Sequence, residues 1–213
     1  MILAAGRGER LRPLTDTMPK SLVEVRGQSL LERHLENIQR AGIEDVVINL
    51  GWLGDKIVER IGSGSSYGLS VSYSDEGDDV LETGGGIHKA LPLLGGNPFL
   101  VVNADIYTDM PVPTVSLLGA DMGHLVMVSS PPYRDGGDFD IEQGRIRTSV
   151  SQLLTFSGVA VYRPQFFDAC EAGRFSIVPM LREAADEDQL QGSLYEGTWA
   201  DVGTPERLAE ASA

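Results

Sequence analysis

Little in this chain suits it to redox or histidine chemistry. Cys170 is the single cysteine among 213 residues. No internal disulfide is possible, and one thiol fits a reducing compartment. Only three histidines occur, His34, His88 and His124. None stands in a spacing that suggests metal ligation or acid–base work. Basic residues are also scarce, 17 against 31 acidic ones, for a formal net charge of −14. An extended basic face of the kind that holds a nucleic-acid backbone is therefore not expected. Long apolar runs are missing as well. No stretch approaches the ~20 residues of a membrane span. Met1-Ile2-Leu3 is too short, and lacks the basic flank, for a secretory signal. The expectation is a cytoplasmic protein with neither a membrane nor a nucleic-acid partner, monomeric or weakly homo-oligomeric.

What is present reads as one α/β domain over residues 1–213. A hydrophobic content of 42% is ordinary for a globular chain, and this length buries about 70% of its unfolded surface. The apolar run at 1–3 reads as a short strand, and those at 45–50 and 99–103 as buried strands, the former of the kind covered on both faces. Residues 69–73, 124–128, 154–162 and 194–199 read as further strands. Ser29-x-x-Glu32 is a capping box opening a helix with Leu31, Leu35 and Ile38 on one stripe and Gly42 at its end. Helices are also expected over 52–61, 84–94, 165–172 and 177–186. Thr204 caps a last one, with Pro205 at its first position. Residues 138–147 read as a hairpin about Gln143-Gly144. The alternation predicts a mostly parallel, Rossmann-like sheet with helices on both faces and a small mixed-sheet region added. A division near residue 110 would give two parts, about 1–110 and about 111–213.

The basic residues that do occur are concentrated. Residues 1–20 carry four of them, Arg7, Arg10, Arg12 and Lys20, against two acidic side chains. They follow a short strand ending in Ala4-Ala5-Gly6. Gly6 and Gly8 let backbone N–H groups approach phosphate oxygens with no Cβ in the way. A locally positive loop on so acidic a chain is a focused anion site. It is not a dinucleotide fingerprint, because Leu11 stands where the third glycine belongs. It is not a Walker A loop either, because Lys20-Ser21 follows a proline.

Gly6-x-Gly8-x-Arg10-Leu11-x-Pro13-Leu14-Thr15 followed by Pro19-Lys20 resembles the signature of the sugar-1-phosphate nucleotidylyltransferases. Asn103-Ala104-Asp105 is similar to that family's central metal-aspartate motif, and Trp199-Ala200-Asp201-Val202-Gly203-Thr204-Pro205-Glu206 to its C-terminal one. Three motifs in the family's order span nearly the whole chain. Segments 81–95, 99–109, 154–162 and 197–211 point within the family to the uridylyltransferases that take N-acetylmuramate 1-phosphate in peptidoglycan recycling. The alternatives are another hexose 1-phosphate nucleotidylyltransferase (mannose guanylyl-, glucose uridylyl- or thymidylyl-) and a non-catalytic regulatory subunit of the same fold.

The resemblance implies UTP and a sugar 1-phosphate as substrates and Mg2+ as cofactor. It implies that Arg10 and Lys20 contact the triphosphate as catalytic cations and that Asp105 and Asp201 hold the metal. Magnesium takes oxygen ligands and completes its shell with water and substrate phosphate. Ala4, Ala5, Gly6 and Gly8 would line the phosphate loop, and Glu82, Thr83 and Gly84 the nucleobase pocket, with Glu82 accepting from a ring imide N–H. Asn103, Ser157 and Gly158 are the expected sugar contacts. The Glu-Lys-Pro segment of many hexose enzymes is missing. Tyr133, Arg134, Arg145 and Arg147 appear within 131–157 instead, and an arginine or backbone donors there are the expected partners of a sugar carboxylate.

Overall fold

The computed structural model describes residues 1–77, 80–148 and 154–213. Its strands and helices, in chain order, are β1 (Ile2–Leu3), β2 (Glu24–Val25), β3 (Gln28–Ser29), α1 (Leu30–Arg40), β4 (Asp45–Leu50), α2 (Gly54–Ile61), β5 (Ser70–Asp75), α3 (Glu82–Leu94), β6 (Phe99–Asn103), β7 (Ile106–Thr108), β8 (Gly123–Val128), β9 (Asp140–Glu142), β10 (Arg145–Arg147), β11 (Thr155–Tyr162), α4 (Val178–Asp186), β12 (Leu190–Leu194), β13 (Trp199–Asp201) and α5 (Pro205–Ser212). Nine strands form one sheet in the order β5-β4-β1-β6-β11-β8-β12-β10-β9.

The first four strands in that order run parallel. Strand β11 is antiparallel to both neighbours, β12 is parallel to β8, and the β9–β10 hairpin closes the far edge. The mixed region therefore extends the parallel sheet instead of standing apart from it. Strand β1 has a parallel partner on each side, Ile2 opposite Ile48 and Val102. That makes its carboxyl end the switch point where ligands of open α/β sheets bind.

Apolar alternation explains the two layers. Ile2, Ile48, Leu100 and Val102 face one way, onto Leu31, Leu35 and Ile38 of α1 and Ile57 and Ile61 of α2. Val47, Phe99 and Val101 face the other, onto Ile87 and Ala90 of α3 and Leu181 and Ala184 of α4. A strand with both faces covered needs apolar residues at every position, which is why these segments read as continuous runs. Among the described residues no helix is long and apolar enough to cross a membrane.

Several expected elements differ in detail. The strand expected over 194–199 is two strands, β12 and β13, joined by a turn. Asp109 holds that turn, accepting from the Tyr195 hydroxyl and, at 2.9 Å, from Thr198 N. The helix expected over 165–172 is a 3-10 turn, Pro164–Phe167, whose last residue is buried in an aromatic cluster with Phe99 and Tyr162. The hairpin turns at Gln143 (φ 51) and Gly144 (φ 76), the positive pair that a two-residue hairpin needs.

Glu32 joins three elements. Its backbone N–H donates to Ser29 Oγ at 3.2 Å, and its carboxylate accepts from Ser29 Oγ (2.7 Å), Arg60 Nε (3.0 Å) and Tyr67 Oη (2.7 Å). Burial alone would raise its pKa. The Arg60 guanidinium and the two hydroxyls outweigh burial and bring it down to about 2 from an ordinary 4.5. A carboxylate whose pKa is depressed on folding stabilises the protein above its unfolded pKa, and that stability is lost as pH falls through the folded one. Glu32→Gln should therefore cost about 1 kcal/mol at pH 7, allowing for solvent screening. The gap in thermal midpoint between the two proteins should close between pH 4.5 and about 2. A gap that does not change with pH contradicts this account.

Candidate active site

The cleft opens at the carboxyl ends of β1 and β6. Leu3, Ala4, Ala5, Gly6, Lys20, Ser21, Asn49, Glu76, Val80, Glu82, Thr83, Asn103, Ala104 and Asp105 line a cavity of about 190 Å3. Gly6 has no atom within 4 Å of where a Cβ would sit, so its face of the loop is open to a ligand. Gly8 differs. Its φ is +66 and a Cβ would lie 3.0 Å from that of Lys20. Its carbonyl accepts from Thr15 Oγ1 at 2.8 Å. Gly8 shapes the loop that delivers Lys20, rather than lining the cleft.

The loop is braced from α2 and the turn that precedes it. Trp52 Nε1 donates to Thr15 O at 2.9 Å and Lys56 Nζ to Thr17 O at 2.6 Å. The Arg7 guanidinium stacks 4.3 Å from the centre of the Trp52 ring. Gly51 lets that brace close, since a Cβ there would meet Ala5 O at 2.6 Å. Nothing local in the sequence marks Gly51 or Trp52 as parts of the site.

Beneath the loop runs a buried polar chain. Ala4 N donates to Asn49 Oδ1 (2.6 Å), Asn49 Nδ2 to Glu76 Oε1 (2.6 Å) and Leu81 N to Glu76 Oε2 (2.7 Å). Glu76 is only 7% exposed and lies on the cleft wall. Gly86 makes room for it, because a Cβ there would fall 2.5 Å from Glu76 Oε1.

The segment at 82–84 is arranged otherwise than expected. The Glu82 carboxylate lies at the rim of the cleft and accepts from Arg174 Nε at 3.0 Å, with Arg174 largely and Glu82 partly in water. Thr83 Oγ1 accepts from Ile177 N at 3.2 Å. Gly84 is buried and does not line the cleft; a Cβ there would meet the Phe175 ring at 2.4 Å. Gly84 and Gly85 both donate backbone N–H groups to Phe175 O. The glycines therefore serve the close docking of the 173–175 segment on the start of α3.

Asp105 and Asp201 are brought side by side by pairing of β7 with β13. Asp201 is opposite Ile106 in that pairing, and Val202 N donates to Asp105 O at 2.9 Å. Each carboxylate already carries a cation. Lys20 Nζ is 2.5 Å from Asp105 Oδ2, and Arg207 Nη1 is 2.7 Å from Asp201 Oδ2. Asp201 Oδ1 is buried without a partner. Arg10 arrives at the same corner, its Nη2 3.0 Å from where a Gly203 Cβ would lie. A buried carboxylate oxygen with no donor is costly unless a cation completes it. Two carboxylates suit a hard divalent cation that draws its other ligands from phosphate and water. No three His, Cys, Asp or Glu side chains gather as a metal site among the described residues.

Of the residues expected at the sugar, Asn103 and Gly158 meet. Gly158 has φ +82 at a β-bulge in β11, and a Cβ there would lie 2.6 Å from Asn103 Nδ2. Ser157 is 1% exposed and its hydroxyl donates to Val126 O at 2.6 Å, so the side chain is committed to the fold. Its carbonyl holds Trp199 Nε1 at 2.9 Å. Arg145 and Arg147 are not at the cleft. Arg145 pairs with Asp121 (2.6 Å) and Arg147 with Asp188 (2.6 Å), and both lie on β10 at the far side of the sheet. Arg134 pairs with Asp138. Tyr133 does reach the site, its ring 3.7 Å from the Arg207 guanidinium. The rest of the expected substitution region, 149–153, lies outside the described residues.

Comparison with known proteins fits this arrangement. The sequence pattern of the family described as "Nucleotidyl transferase" matches residues 1–130. The chain belongs to the nucleotidyl transferase family. It is 46% identical to an N-acetylmuramate alpha-1-phosphate uridylyltransferase of Neisseria meningitidis, covering 100% of this chain and 96% of the relative. A protein of the same name from Caulobacter vibrioides is 34% identical, over 99% and 97%. A mannose-1-phosphate guanyltransferase beta-A of Xenopus laevis is 28% identical over 96% of this chain and 61% of its own length. Among solved structures, a UDP-glucose pyrophosphorylase complexed with UDP-glucose superposes with a TM-score of 0.77 at 20% identity, covering 99% of this chain and 95% of the other. HddC from Yersinia pseudotuberculosis gives 0.76 at 20%, over 99% and 96%.

Gly158→Ala tests the bulge that seats Asn103. A Cβ at φ +82 pressing on that amide should cost about 1–3 kcal/mol. An unchanged denaturation midpoint would show that the bulge relaxes freely.

Proposed function

We propose that the protein transfers the uridylyl group of UTP to N-acetylmuramate 1-phosphate, releasing pyrophosphate. The observation that carries this reading is the pairing of Asp105 and Asp201, each with its cation, at the mouth of the glycine loop. The full-length likeness to the uridylyltransferases supports the choice of substrates.

The attacking group is an oxygen of the sugar phosphate, already anionic at neutral pH, so no strong general base is required. It bonds to the α-phosphorus of UTP, and the bond from that phosphorus to the β-phosphate bridging oxygen breaks, leaving pyrophosphate with the electron pair. The barrier lies in bringing two polyanions into line and stabilising the charge that develops. Arg10 and Lys20 supply fixed positive charge there, and the open backbone at Gly6 admits the phosphates. Asp105 and Asp201 would hold a magnesium ion, which neutralises phosphate charge when bound. The nucleotide would occupy the 1–110 part, and Asn103 with the Gly158 backbone would border the sugar.

Glu76 is the base reader we favour, in place of Glu82. A carboxylate offers about four acceptor positions. Asn49 and Leu81 each use one, leaving capacity for the N3–H of uracil. Adenine and cytosine present a lone pair at that position and would be repelled.

Pyrophosphate release should require a divalent cation and fall by ~10²–10³ in kcat on Arg10→Ala or Lys20→Ala. Full turnover in excess EDTA would remove the metal from the mechanism. Glu76→Gln should raise the KM for UTP about tenfold, whereas Glu82→Gln should leave it unchanged; the reverse pattern would return base reading to Glu82. N-acetylmuramate 1-phosphate should exceed glucose and mannose 1-phosphates by about ten- to a hundredfold in kcat/KM, as one added carboxylate contact allows. Equal turnover of a plain hexose phosphate would favour the hexose enzymes instead.

A further inference from the structure

Arg207 is a charged residue at the site for which the transfer mechanism has given no role. It stands in the first turn of α5, where Thr204 Oγ1 accepts from its backbone N–H at 3.4 Å. Its guanidinium lies over Tyr133 at 3.7 Å and donates to Asp201 Oδ2 at 2.7 Å. The side chain is only 18% exposed. An arginine placed only to bind Asp201 would use its planar fork on both carboxylate oxygens. Here a single contact is made, and Asp201 Oδ1 stays buried with no partner. Tyr133 holds the guanidinium from the other side, by the attraction of a cation for a ring face.

We propose that Arg207 is a built-in counter-ion that competes with the divalent cation for Asp201. In the substrate-free protein it neutralises a carboxylate that would otherwise lie partly buried and uncompensated. A divalent cation completing Oδ1 and a guanidinium held on Oδ2 would repel one another across a single carboxylate, so metal entry displaces Nη1 while Tyr133 keeps the group nearby. Lys20 on Asp105 is the matching arrangement at the other carboxylate. Free metal is therefore held weakly, and the metal site fills when a triphosphate brings oxygens of its own. Arg207 acts through Asp201 and is a positioning residue. This inference rests on the assignment of Asp201 as a metal ligand.

The test is Mn2+ binding to nucleotide-free protein, followed by electron paramagnetic resonance. Arg207→Gln should bind Mn2+ about tenfold more tightly than wild type, as expected on removal of one charge-assisted competitor. Arg207→Lys, which keeps a cation, should stay near wild type. Arg207→Met, which removes the cation and keeps the aliphatic stem over Tyr133, should give the same gain, which covers the case that Arg207→Gln folds poorly. With saturating UTP the variants should converge. Folded Arg207→Gln or Arg207→Met protein that binds Mn2+ no better than wild type would overturn the proposal and leave uridylyl transfer untouched. If Asp201→Asn in the Arg207→Gln background keeps the tight binding, the metal is not at Asp201, and that assignment falls together with the proposal.

Discussion

The side-chain amide of Asn49 ties the site to the sheet. Its oxygen takes the N–H of Ala4 and its nitrogen gives to Glu76, whose other oxygen takes the N–H of Leu81. Four segments are fixed by one buried chain: the exit of β1, the end of β4, the residue after β5 and the entry to α3. Each bond lies where water is scarce, so leaving a partner unmade would cost more than the bond itself contributes. Without that chain the phosphate loop would leave β1 at no defined angle. The glycines at 51 and 86 follow from it, because each gives way to a neighbour the chain brings close.

A second constraint is charge. Under the proposed function, a chain of net charge −14 has to bind a triphosphate and a sugar phosphate. Cations are therefore held at the cleft by the carboxylates they neutralise, Lys20 by Asp105 and Arg207 by Asp201. The paired state keeps those side chains ordered before any ligand arrives, which lowers the entropic cost of binding. It also means that ligand binding at this site is an exchange of ionic partners.

The order and type of most elements were legible in the sequence because the strands next to β1 are covered on both faces and the helices carry single apolar stripes. The glycine–arginine loop, Lys20 and both aspartates were legible as motifs. What the motifs could not show was contact: that Val202 meets Asp105, or that Arg10 reaches Gly203. Glu82 drew attention by its place in a glycine run, yet Gly84 and Gly85 answer to Phe175 and Gly173 and Gly86 to Glu76, and Glu76 is the buried carboxylate on the cleft wall. Arg145 and Arg147 stood in the right stretch of chain, but Asp121 and Asp188 hold them at the far edge of the sheet. Strands β7 and β13 are three residues each and too short to show a period. They form because they pair with one another.

The central claim is that the sugar phosphate attacks the α-phosphorus directly, with the protein supplying position and charge but no nucleophile. The stereochemical course tests this most directly. UTP carrying sulfur at the α-phosphorus in one configuration is turned over with N-acetylmuramate 1-phosphate, and the configuration of the product is read by phosphorus NMR. A single in-line displacement predicts inversion. Retention would require a covalent uridylyl–protein intermediate and would contradict the account.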